Sequence, residues 1–73
     1  MGQVLSPEQD YLVRLREEKQ QLDDRILKLH AFFSSRKFAE VPRDEQLRLE
    51  EQFTHMHRYA DVLRRRLEAV GWA

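Results

Sequence analysis

The chain lacks cysteine, has only two glycines and two prolines in 73 residues, and carries no net charge. The absence of cysteine excludes disulfides and cysteine metal clusters. The balance of 13 basic and 13 acidic residues argues against a polymer DNA or RNA partner, whose binders are normally strongly basic. The longest apolar runs are three residues, so no segment spans a membrane. A chain this small commonly relies on oligomerisation for stability.

Two apolar stripes, one in each half of the chain, dominate what is present. Each alternates steps of three and four residues, the spacing that keeps side chains on one side of a helix. The sequence therefore predicts an all-α fold in which two long antiparallel helices form a hairpin with a short helical turn between them. We expect a single domain over 1–73, with helix one at about 7–33, a linker at 34–42 and helix two at about 43–70. The stripes comprise Leu12, Leu15, Lys19, Leu22, Ile26, Leu29 and Phe33, then Leu49, Phe53, Met56, Ala60, Leu63, Leu67 and Val70.

Capping and helix-breaking residues mark the predicted helix ends. Ser6 and Pro7 are typical of an N-cap and a first helical position. Ser35 can cap a short turn that places Phe38 against the end of the hairpin. Pro42 is expected to open the second long helix.

Apolar residues outside the stripes indicate a second buried surface. Val13 and Leu27 share a face of helix one, and Tyr59 and Val62 share a line on helix two. Isolated exposed apolar residues are common, but aligned ones favour a subunit interface. Lys19 occupies an otherwise apolar stripe; it either sets the register or packs its stem while its ammonium reaches an anion.

No residue pattern indicates catalysis. His55 and His57 lie two residues apart, so on a helix they point in different directions and cannot chelate one metal. The two glycines, Gly2 and Gly71, form no phosphate-binding loop, and no nucleophile motif is present. We therefore expect no enzyme activity, no catalytic residue, no metal and no cofactor.

Cations and an aromatic residue suggest a small anionic ligand instead. Tyr11, Arg25 and Lys28 lie on helix one, and Arg66 closes the Arg64–Arg66 run on helix two. Basic residues near the end of a helix are commonly partners of the helix dipole. Brought together by an interface, an aromatic ring and arginines would suit a base and a phosphate.

The segment 18–32, EKQQLDDRILKLHAF, resembles the opening helix of small phage hairpin proteins. The family resembled is the second type of anti-CBASS protein, and the resemblance covers about residues 12–67. It also includes the connection and the second-helix residues Phe38, Val41, Pro42, Gln52, Met56, Tyr59, Leu63, Arg66 and Leu67.

This resemblance implies a homohexamer of helical hairpins in the host bacterial cytoplasm. Such proteins sequester cyclic dinucleotides, and in some members cyclic trinucleotides, which blocks activation of CBASS effectors. By resemblance, the ligand-binding residues are Tyr11 and Arg25, with Lys28 as the competing cation, and Arg66 on helix two. The alternatives are a structural or regulatory coiled-coil adaptor for a protein partner and, less compatible with zero net charge, a small nucleic-acid binder.

Overall fold

The computed structural model describes residues 7–71, with side chains from Asp10 onward. Three helices follow one another: α1 at Pro7–Phe33, α2 at Arg36–Glu40 and α3 at Arg43–Ala69. The long helices α1 and α3 pack against each other, and the described residues contain no strand. The predicted all-α hairpin with a short helix at its turn is therefore confirmed. The expected Ser6 cap lies outside the described residues.

The core is a single seam between α1 and α3. All six of its buried residues belong to the predicted stripes, and Leu63 is fully buried. Phe53 and Met56 pack partly against this seam. Burying one aliphatic side chain contributes about 1.5–3 kcal/mol, so the seam supplies most of the apolar stabilisation. The six residues are Leu15, Leu22, Ile26, Ala60, Leu63 and Leu67.

Lys19 lies within this seam and is half-buried. Its ammonium Nζ lies 2.7 Å from Oδ2 of Asp23, one turn further along α1. The aliphatic stem can therefore pack while the charge keeps a partner at the seam edge.

An aromatic cluster closes the turn of the hairpin. Phe38 on α2 is buried, and the rings of Phe32 and Phe33 meet it edge-on at centroid distances of 5.7 and 5.0 Å. Ser35 caps α2, since its Oγ accepts a hydrogen bond from the Phe38 backbone N–H and donates one to the carbonyl of Phe32. These contacts fix α2 across the end of α1.

Gln46 ties this turn to α3, a role that the sequence pattern does not indicate. Its Nε2 donates to the carbonyl oxygens of Phe38 and Val41, each at 2.9 Å. Arg43 donates to its Oε1 at 3.2 Å. The side-chain amide therefore gives the Val41 carbonyl a partner where α2 ends, and it adds a second donor to the Phe38 carbonyl, which also accepts from the Val41 backbone N–H.

The hairpin is elongated, with extents of 52 × 27 × 16 Å. One seam buries only the facing sides of the two long helices. Among the residues whose side chains are described, six large hydrophobic ones consequently stay exposed: Tyr11, Leu27, Leu47, Tyr59, Val62 and Val70.

Candidate functional site

Two side surfaces flank the seam, and they differ in chemistry. Because a helix advances about 100° per residue, positions one and three residues beyond a seam residue fall on opposite sides of it. Positions three residues beyond seam residues such as Leu15 and Leu63 therefore lie on one surface, and positions one residue beyond them lie on the other. One, which we call the tyrosine face, carries Tyr11, Glu18 and Arg25 from α1 and Gln52, Tyr59 and Arg66 from α3, at seven-residue intervals on each helix.

Tyr11 and Arg66 form the first cross-helix contact of the tyrosine face. The Arg66 guanidinium carbon lies 5.5 Å from the centroid of the Tyr11 ring, within cation–π range. A guanidinium N–H of Arg66 also donates to the Tyr11 hydroxyl. The structure thus brings together two of the four predicted ligand-binding residues, and the Tyr11 side of this pair is 51% exposed.

Tyr59 and Glu18 form the second cross-helix contact. The Tyr59 hydroxyl donates to the Glu18 carboxylate. Both residues lie seven positions from the first pair, Glu18 after Tyr11 on α1 and Tyr59 before Arg66 on α3. Seven residues are about two helical turns, so the two pairs are successive rungs of one antiparallel ladder. This register places an acidic group on the same face as the predicted cations.

Arg25 and Lys28 are exposed on α1, away from Tyr11. Neither forms an ion pair with a residue in the described part of the chain. Arg25 continues the α1 row of the tyrosine face, fourteen residues after Tyr11. That separation is about 21 Å along the helix, so one hairpin does not bring the two side chains together.

Arg64 and Arg65, by contrast, are bound to neighbouring acids on α3. Arg64 donates to Asp61 at 2.6 Å and to Glu68 at 2.7 Å, and Arg65 donates to Asp61 at 3.1 Å. The hydrogen bond from Arg64 lowers the pKa of the Asp61 carboxyl, and the hydrogen bonds to Asp61 and Glu68 raise the pKa of Arg64. Of the Arg64–Arg66 run, only Arg66 is directed to the tyrosine face.

On the opposite side of the seam lies a charged groove of about 560 Å³. Its walls carry three cations and two carboxylates, and Lys19 and Arg64 already pair with acids on their own helices. Most of the positive charge in the groove is therefore already balanced. Its lining residues are Arg16, Lys19, Gln20, Asp23, Arg64, Leu67 and Glu68.

Two of the three histidines contact an aromatic ring. The rings of His30 and His57 lie 6.0 and 4.6 Å from that of Phe53, centroid to centroid. His55 lies 3.6 Å from Glu51 on the outside of α3. Within residues 7–71, no group of three potential metal ligands converges.

The sequence matches the Sequestin family over residues 9–69, which include α3, all but the first two residues of α1, and both rungs of the tyrosine face. The chain belongs to this family, the anti-CBASS cyclic-oligonucleotide sponges, and the family assignment made from the sequence is confirmed. No curated protein and no solved structure matches the chain. Neither long helix contains an apolar stretch that would cross a bilayer, within the residues that the structure describes.

Proposed function

We propose that this protein is a phage anti-defence protein that sequesters cyclic dinucleotides, and cyclic trinucleotides, in the host bacterial cytoplasm. Keeping these messengers from CBASS effectors would block activation of the defence. Membership of the Sequestin family supports a sequestering role. The structural observation that carries the proposal is the exposed Tyr11 ring with the Arg66 guanidinium over it.

The chemistry of this pair fits a nucleotide. An exposed aromatic ring provides a stacking surface worth about 1–3 kcal/mol per base. A guanidinium can donate two parallel hydrogen bonds to a phosphate. In Arg66 and Arg25, the tyrosine face has cations on two helices, and neither is neutralised by a carboxylate within the described chain.

A complete pocket under this proposal requires more than one copy of the chain. Tyr11 and Arg25 are about 21 Å apart along α1, too far for one cyclic dinucleotide to contact both in one hairpin. An antiparallel neighbour would place its own Arg25, or Lys28, beside this Tyr11. Exposed Tyr59 and Val62 on the same side supply apolar surface for such an interface. We propose a homo-oligomer, with a hexamer implied by the resemblance.

Sequestration also requires no reaction at the nucleotide. A sponge acts by affinity and by its concentration, so the proposed site needs binding groups only. We accordingly propose that the protein is not an enzyme and that Tyr11, Arg25, Lys28 and Arg66 serve as ligand contacts rather than catalytic residues.

A coiled-coil adaptor that binds a protein partner is the second candidate. The observation that favours it is exposed apolar surface outside the tyrosine face, with Leu27 67% and Leu47 48% exposed. The two candidates differ in their response to nucleotide. A cyclic dinucleotide at one hundred times its dissociation constant should stabilise a sponge by about 2.7 kcal/mol, and should leave an adaptor unchanged.

Calorimetric titration with cyclic di- and trinucleotides tests the proposal directly. Tyr11→Ala should weaken binding of a cyclic dinucleotide about ten- to a hundredfold through lost stacking, and Arg25→Ala by a similar factor through lost charged hydrogen bonds. Arg58→Ala is the matched control, because Arg58 is an exposed α3 arginine outside the tyrosine face. Unchanged affinity in both test variants would refute the site, and no binding by the wild-type protein would leave the adaptor.

A further inference from the structure

Glu18 is the exception on a face otherwise suited to an anion. It lies seven residues from both Tyr11 and Arg25, on the row that the proposed ligand would cover. A carboxylate beside a dianionic nucleotide raises the electrostatic energy unless it accepts hydrogen bonds from that ligand. Glu18 therefore calls for a ligand that presents N–H donors at this point.

The Glu18 carboxylate is held in place and keeps capacity for further hydrogen bonds. The hydroxyl of Tyr59 donates to it across the hairpin, which fixes its position relative to α3. An ionised carboxylate has about four acceptor positions, and Tyr59 occupies one of them. Glu18 is exposed, so the remaining positions are open to a ligand.

The spacing between the two rungs suits one base. Glu18 follows Tyr11 by about 10.5 Å along α1. A base stacked on the Tyr11 ring would direct an edge into the space between the Tyr11–Arg66 and Glu18–Tyr59 pairs.

We propose that Glu18, positioned by Tyr59, reads the Watson–Crick edge of a guanine and makes the site selective for cyclic dinucleotides that contain this base. The inference rests on the proposed function and specifies its ligand class. Guanine presents two adjacent donors on this edge, its ring N1–H and its exocyclic N2 amino group, which match the two carboxylate oxygens. Adenine presents the N1 lone pair at the corresponding point, which repels a carboxylate.

The test compares a cyclic GMP–AMP hybrid with cyclic di-AMP by calorimetric titration. The wild-type protein should bind the guanine-containing ligand at least about tenfold more tightly, because a site built for donors rejects an analogue that lacks them. Glu18→Gln should lose about tenfold or more in affinity for the hybrid, since the amide offers one acceptor and one mismatched donor. Its affinity for cyclic di-AMP should stay the same or rise, because an amide can pair with adenine.

Glu17→Gln is the matched control, with the same change of charge at the adjacent exposed position. It should leave both affinities unchanged. Tyr59→Phe should weaken the binding of the hybrid only, and by less than Glu18→Gln does, because it removes the positioning hydroxyl and keeps the carboxylate. Equal wild-type affinities for the two ligands, or equal effects of Glu17→Gln and Glu18→Gln, would overturn the role of Glu18 and leave the sponge intact. No binding of either ligand would overturn both.

Discussion

Removing the Gln46 side-chain donors should destabilise the hairpin at its turn. Gln46→Met keeps the length and volume of the side chain but cannot donate to the carbonyls of Phe38 and Val41. Both hydrogen bonds are 2.9 Å long, and Gln46 is half-buried. At about 0.5–1.5 kcal/mol for each net hydrogen bond, the expected loss is about 1–3 kcal/mol. A chain of this length is expected to have a total free energy of unfolding of about 4–11 kcal/mol, so the loss is a sizeable fraction of its stability.

Urea denaturation followed by far-ultraviolet circular dichroism measures this loss, at one protein concentration for all variants. Gln21→Met is the matched control, because Gln21 is exposed on α1 and its replacement should change stability by no more than about 0.5 kcal/mol. Gln46→Glu should be at least as destabilising as Gln46→Met, since a carboxylate would face two carbonyl oxygens. Indistinguishable urea midpoints for Gln46→Met and Gln21→Met would refute the stabilising role of the Gln46 hydrogen bonds.

Three further perturbations test the seam and the charges on α3. Leu63→Ala should cost about 2–5 kcal/mol by denaturation because Leu63 is fully buried, whereas Glu50→Ala should change stability by about 0.5 kcal/mol or less; similar values would show that the seam is wrongly assigned. Lys19→Met should be neutral or stabilising if Lys19 only packs, but a changed mass in light scattering would assign it to assembly. Because the folded pKa of Asp61 is lowered, its ion pairs contribute fully to the free energy of unfolding above the unfolded pKa of 3.8, and this contribution should be lost as the pH falls through the folded pKa. Asp61→Asn should abolish that part of the pH dependence of stability.

The fold class was predictable because hydrophobic periodicity determines which side of each helix is buried. Leu15, Leu22 and Leu63 could be assigned to the seam from their spacing alone, and the structure buries all three. Phe38 was predictable for a similar reason, as an aromatic residue within a short connection has only the end of the hairpin to pack against. These inferences need local geometry and no knowledge of the interhelical register.

The candidate site was less predictable from the sequence, because its contacts depend on the register between α1 and α3. Tyr11 was selected by resemblance, but its contact with Arg66 requires the length and path of the turn to be known. The Glu18–Tyr59 pair was missed for the same reason. Gln46 was missed because a polar residue early in a helix normally faces solvent, and its carbonyl partners become apparent only once α2 is placed.

Oligomerisation is the prediction on which the proposed pocket depends. The elongated hairpin buries one seam and leaves Tyr59 and Val62 exposed beside Tyr11. If a second copy covers this surface, light scattering at micromolar concentration should give several times the 8.9 kDa chain mass, and the melting temperature should rise with protein concentration. Val62→Glu would place a charge in that interface and should reduce the mass without loss of helicity, whereas Thr54→Glu, at an exposed α3 position outside the tyrosine face, is the control. A folded monomer with concentration-independent melting would exclude a pocket shared between Tyr11 of one copy and Arg25 of another.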